Sequence, residues 1–320
     1  MSNVRVNIEG EVMKGESAEK ITRTEARIAL LRSGYLLESR LETVLRQEEY
    51  YVEANHSYPD PNTGKSRELD LYAMCAIKAG PEDFDFVFPI LLIECVNNPQ
   101  PLALITKEPQ DSSYYQNDVK HSGLPVKFPA KGGGSQSLAD YLALNKFHHY
   151  CKGRVATQFC SFRKKRDQRR QEWMALHEDD QFDCFQKLCA ATEFFIDQHF
   201  SGWVFGGPES VNIEIYYPVL VLEGELLEVR AVRSSVHLMR KQHLQFRRSQ
   251  FSRGEANDYQ IDVIEEPFLL KYLQLIKSEV ETIAYELGRR HKEVRHAMNV
   301  ILRGARHLRS AKKIRKALEF

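Results

Sequence analysis

Three carboxylates stand where their neighbours make an acid costly to place. Asp70 lies in Arg67-Glu68-Leu69-Asp70-Leu71-Tyr72, and Glu94 closes the apolar run Phe86 to Ile93. Glu38 sits beside a helical stripe of Leu37, Leu41, Val44 and Leu45. A carboxylate taken out of water needs a partner, and a divalent cation is one. Mg²⁺ is commonly held by one or two protein carboxylates together with water and a substrate phosphate. Such an ion beside cationic side chains suits phosphodiester hydrolysis, because it activates water and offsets the charge that develops on phosphorus. Each acid also has a plainer reading. Glu38 reads equally as a solvated helix residue, Asp70 as a partner of Arg67 or Lys65, and Glu94 as a cap for the loop after it.

The elements that must position these acids can be read in chain order. Thr22 to Glu25 has capping-box spacing and opens a helix with Ile28, Leu30 and Leu31 turned inward. Ser33-Gly34 interrupts it, and the helix of Glu38 follows. Glu49 to His56 reads as a strand, and Tyr58 to Gly64 as a turn that leads back into the strand of Asp70. The literal Pro59-Asp60 lies in that turn. Phe86 to Glu94 is a third strand, apolar throughout.

From Pro99 to Ser137 the pattern is broken by prolines and by Gly132-Gly133-Gly134, which reads as a flexible loop because no Lys-Ser/Thr follows it. A helix from about Ser137, with Lys146 and His148-His149 at its end, precedes the strand Val155 to Phe162, which carries Gln158. The histidine pair has no ligand spacing to any other histidine and reads as helix surface. Phe182 to Phe200 reads as a core-facing helix. Val211 to Val232 reads as a hairpin turning at Glu223-Gly224-Glu225, Tyr259 to Ile264 as a strand, and Pro267 to Leu287 as a helix. The chain ends in a basic amphipathic helix.

This order, helix, strand, strand with Asp70, strand with Glu94, helix, strand, resembles the restriction-endonuclease-like PD-(D/E)XK nuclease superfamily. The resemblance rests on Ser33-Gly34-Tyr35-Leu36-Leu37-Glu38, Arg67-Glu68-Leu69-Asp70-Leu71 and Leu92-Ile93-Glu94-Cys95-Val96-Asn97-Asn98, and covers roughly the first half of the chain. It implies an α/β (α+β) fold: a restriction-endonuclease-like core over 1–165, a mixed β-sheet flanked by helices, with a C-terminal β-hairpin and helical elaboration over 166–320 in the same or a second domain. It also implies that Asp70 and Glu94 bind Mg²⁺ or Mn²⁺, that Glu38 supports them, and that DNA is cut. Many relatives act as dimers, so a homodimer is implied too. The chain departs from the pattern at Val96, where the family places the lysine that orients the attacking water. The resemblance then requires a cation from another element, with Lys146 or Lys107 as candidates and Gln158 as a further polar group. The alternative is a catalytically degenerate nuclease fold that binds nucleic acid or protein. A third reading is an unrelated α+β domain in which Asp70 and Glu94 never meet.

Composition bears on the partner. The 320 residues are 42% hydrophobic and 28% charged, with a net charge of +1. That balance hides basic segments of net +4 at 161–172, +7 at 230–254 and +9 at 289–320 on an acidic remainder. Such segregation fits a polyanion held on one face. The six cysteines have neither zinc spacing nor the density of a disulfide scaffold, and with no signal or membrane-spanning pattern a cytoplasmic protein is expected.

Overall fold

The computed structural model describes residues 20–297, apart from short stretches at 33–34, 81, 83–84, 110–111, 124–126, 131–132, 167–170, 178, 200–210, 233–234 and 253–254. The basic C-terminal helix from 298 onward, the Ser33-Gly34 break, Gly132 and the tip of the first basic run therefore lie outside the described residues.

The chain is mixed α/β. Helices α1 (Arg23–Arg32) and α2 (Tyr35–Gln47) precede the strands β1 (Tyr51–Pro59), β2 (Ser66–Met74), β3 (Ile77–Lys78), β4 (Phe86–Asn97) and β5 (Leu102–Lys107). Short strands β6 (Lys120–Ser122), β7 (Lys127–Pro129) and β8 (Ser135–Ser137) lead into α3 (Leu138–Leu142). Then come β9 (Val155–Arg166), β10 (Gln171–Leu176) and α4 (Asp179–His199). The last part holds β11 (Asn212–Glu223), β12 (Leu226–Val232), β13 (Ser235–Lys241), β14 (His243–Ser252), β15 (Glu255–Glu265) and α5 (Leu269–Arg289).

One large sheet runs β1-β2-β4-β11-β15-β14-β9-β5-β12-β13, with β3 paired to β4, β6 to β11 and β10 to β9. The third strand on this path, β4, is antiparallel to β2 and parallel to β11 over its full length. Both faces of β4 are covered, which is why its sequence is a continuous apolar run rather than an alternation. On one face Leu37, Leu41 and Leu45 of α2 and Tyr272, Ile276, Val280 and Ile283 of α5 pack with Leu71, Leu91 and Ile93. On the other, Phe185, Leu188 and Cys189 of α4 pack with Leu69, Ile90 and Leu92.

The expected hairpin over 211–232 is not a hairpin. Both strands form, but β11 pairs with β4 and β15, whereas β12 pairs with β5 and β13. Only Gly224 and Glu225 separate β11 from β12, so the sheet must curl until β12 comes within a two-residue reach of the end of β11. The β4-to-β5 link runs beside this one: a Cβ on Gly224 would lie 2.6 Å from the carbonyl oxygen of Asn98. Strands from both halves of the chain alternate in this sheet, and residue 165 falls within β9. One further expectation fails at α1. Its capping box forms, with the Glu25 carboxylate accepting from the Thr22 N–H and the Thr22 hydroxyl from the Glu25 N–H, but Ile28, Leu30 and Leu31 are exposed.

Candidate functional site

The site begins where the β2–β4 ladder stops. Its last pair is Leu71 with Ile93, which brings Asp70 and Glu94 next in line on adjacent strands. Asp70 does not continue the backbone ladder; its Oδ2 accepts the N–H of Cys95 at 2.7 Å. The strand also rolls over at this point. Leu69 and Leu71, two apart and expected on one face, enter opposite cores. In β1 the residue facing Asp70 is Asn55, held at φ 54°, and Val52 and Tyr58 on either side of it likewise enter opposite cores. Asn is among the few residues that adopt the left-handed region readily.

Glu94 is 1% exposed. Its Oε2 accepts from the ammonium of Lys187 at 3.0 Å, and its Oε1 is buried with no hydrogen-bond partner among the described residues. Burial, reinforced by the charge of Asp70, lifts the carboxyl to about 8, against the opposing pull of Lys187 and the Cys184 thiol. Burial also raises Asp70, although the Cys95 N–H and Lys187 favour its charged form. Glu38, half-buried on α2, is raised by burial and by Asp70 and lowered by Lys187. Lys187 is drawn down by its own burial, but Glu94 and Asp70 outweigh this and keep it charged. The buried Tyr58 hydroxyl donates to the Lys187 carbonyl at 2.9 Å, which ties α4 to β1 at the level of the site.

The three acids predicted from sequence therefore share one electrostatic environment. Glu38 comes to it from the α2 face and Lys187 from the α4 face. The carboxylates of Glu38, Asp70 and Glu94 do not bring three oxygens within 4.8 Å of one another among the described residues. The arrangement suits two ligands with Glu38 behind them. A divalent cation fits the donor set on two counts. The orphaned Oε1 of Glu94 has an acceptor site to fill, and three carboxylates face one lysine.

The cation beside Glu94 is Lys187, not those expected from sequence. Lys146 is exposed in a short turn at 144–146, Lys107 is exposed at the end of β5, and Gln158 is exposed on β9. Among the described residues none of them shares a hydrogen bond or ion pair with the three acids. Val96 is partly buried against the α4-side core, on the same strand face as Glu94. The signal for Lys187 was faint: it stands at the margin of the apolar face of α4, with Cys184 three residues before it and the buried Ala191 four after.

Asp60, the acid of the literal Pro-Asp pair, is a turn residue. It accepts the N–H groups of Asn62 and Thr63 at 2.9 and 3.0 Å and pairs with Arg67, which is thereby taken from Asp70. All six cysteines are free. His148 and His149 are not on a helix surface but buried. No helix among the described residues is long and apolar enough to cross a membrane. No family model, no curated protein and no solved structure matches the chain, so any functional reading rests on this geometry.

Proposed function

We propose that the chain is a metal-dependent nuclease of the restriction-endonuclease-like type that hydrolyses phosphodiester bonds in DNA, with Lys187 in the role of the lysine that Val96 replaces. The single observation that carries the reading is the Lys187 ammonium 3.0 Å from Glu94, at the strand end that also presents Asp70. Asp70 and Glu94 would hold Mg²⁺ or Mn²⁺, which supplies Lewis-acid activation of water and of the scissile phosphate. Lys187 keeps Glu94 oriented and places a fixed positive charge where the phosphorane oxygens gain negative charge. Glu38 adds negative potential behind the ligands and favours cation binding. The low exposure of Glu94 strengthens these interactions relative to water.

Incubation of purified protein with supercoiled and linear DNA in Mg²⁺ or Mn²⁺ tests the reading. Asp70→Ala and Glu94→Ala are expected to abolish cutting. Lys187→Ala is expected to lower its rate on the order of 10²- to 10³-fold, the range for removal of one transition-state donor. Adding Val96→Lys to Lys187→Ala should recover part of the loss, since position 96 faces the same side as Glu94. Cleavage that persists in Asp70→Ala and Glu94→Ala would sink the assignment. Salt-sensitive DNA binding without cutting by the unaltered protein would instead favour a degenerate fold that binds nucleic acid.

A further inference from the structure

A second constellation lies in the α5-side core, remote in sequence from the three acids. Asp262 of β15 is fully buried. It faces Nε2 of His149 at 3.1 Å from both of its oxygens, Nε2 of His243 at 2.7 Å, and the Tyr272 hydroxyl at 2.7 Å. The Nδ1 of His149 lies 2.7 Å from Glu279, itself buried on α5. The nearest ligand atoms of His149, His243 and Asp262 all fall within 4.8 Å of one another.

Two imidazoles and one carboxylate are a donor set that suits zinc, and their ligand atoms converge here from three separate elements. We propose that Nε2 of His149, Nε2 of His243 and a carboxylate oxygen of Asp262 form a binding site for a divalent transition metal, with Zn²⁺ the best match to two imidazoles and one carboxylate.

The surroundings are those of a metal site. Glu279 on the far nitrogen of His149 sets the tautomer that leaves Nε2 free to ligate. Tyr272 holds the Oδ2 oxygen of Asp262. The side chain of Gln245 donates to the His149 carbonyl at 2.7 Å and fixes the turn that carries the ring. His243 is the most exposed of the three ligands, with 17% of its side chain accessible, and it lines a cleft of ≈ 300 Å³ with Lys152, Arg154, Arg230 and Lys241. The ion reaches the group from that side, and three protein ligands leave a coordination position for water. Glu228 lines the same cleft and pairs with Arg154, Arg230 and Lys241. None of these residues belongs to the site of Asp70 and Glu94.

The test uses the whole protein, stripped by a chelator and titrated with Zn²⁺ by calorimetry and with Co²⁺ by visible absorption. One equivalent of Zn²⁺ should bind, and Co²⁺ should give the d–d absorption of a low-coordinate histidine site. His243→Ala should weaken Zn²⁺ binding by more than the roughly 10- to 100-fold expected for Glu279→Gln, which removes an outer partner only. Asp70→Ala should leave Zn²⁺ binding unchanged, so failure of this site and failure of the nuclease reading are separable. Absence of stoichiometric Zn²⁺ binding by the unaltered protein, or binding that survives His243→Ala, overturns the proposal and leaves a network held by protons.

Discussion

Glu94 is the residue on which the proposed chemistry turns, because it is both a ligand candidate and a group whose folded state favours its neutral form. Its carboxyl is lifted to about 8, against an ordinary value of 4.5. Between those values the folded protein holds a proton that the unfolded chain has released. Its contribution to stability is therefore complete below about pH 4.5 and is lost progressively as pH rises toward 8. In the absence of divalent cations, Glu94→Gln is expected to be more stable than the unaltered protein at pH 8, by on the order of a few kcal/mol. The two should converge near pH 5. Mg²⁺ should reverse the order at pH 8 by stabilising only the protein with Glu94, and its affinity should climb between pH 6 and 8 as the proton it displaces becomes easier to remove. Urea denaturation with and without Mg²⁺ at both pH values reads this directly, and equal stabilities across the range would remove Glu94 from the buried site. At this scale the sequence was informative about acids and uninformative about their partner. An acid closing an apolar strand stands out, whereas a lysine whose stem borders an apolar helix face is an ordinary arrangement. His149 was misplaced for the complementary reason: its partners Gln245, Asp262 and Glu279 come from β14, β15 and α5, so no local spacing marks it.

The elements matter through how they turn as well as through how they pair. Asp70 reaches the Cys95 N–H because β2 rolls over between Leu69 and Leu71, and the roll is shared with β1 at Asn55, in the left-handed region. Asn55→Gly should therefore keep stability within about 0.5 kcal/mol, since glycine adopts that backbone without steric cost. Asn55→Val should cost about 1–2 kcal/mol, because a β-branched side chain clashes there. If the roll positions Asp70, the valine variant should also cut DNA more slowly than the glycine variant at equal folded fraction. Equal loss in both would show that the side chain of Asn55, which is exposed, matters more than its backbone. Many of the strands and helices were legible from period and capping, but β5, β10, β13 and β14 were not, and the helix expected from Ser137 ends at Leu142. Strand partners were not legible either, as Val211 to Val232 illustrates: a Glu-Gly-Glu turn between two apolar strands is the local signature of a hairpin. What overrides it is the curl of the sheet, which pairs β12 with β5, an element far from it along the chain.

For the whole molecule, the proposed function raises the question of which basic surface would meet DNA. Charge counting by segment overstates the stretch 230–254, where Arg230 pairs with Glu228, Arg240 with Glu265, and Arg247 with Asp118 and Asp258. Around 289–297 Arg290 pairs with Glu286 and Arg295 with Glu82. The β9–β10 hairpin is different. Arg163 and Lys164 are exposed on it and share no ion pair among the described residues, and cross-strand from them stand Met174 and Trp173. Trp173 is 57% exposed, with the Lys164 ammonium 5.9 Å from its ring centre. A two-stranded ribbon that carries cations and an exposed indole can enter a major groove or stack on an unpaired base. Under the proposed nuclease reading, the hairpin would be the arm that meets DNA. Removing one cation that neutralises a phosphate lowers the slope of log K against log salt by about 1, so Arg163→Ala with Lys164→Ala should reduce it by roughly 2. Trp173→Ala should weaken single-stranded DNA binding by about 1–3 kcal/mol and leave the slope unchanged, because stacking releases no counterions. Fluorescence anisotropy with labelled duplex and single-stranded DNA over a salt series separates the two terms. A slope unaltered by the double substitution would move the nucleic-acid interface off this hairpin.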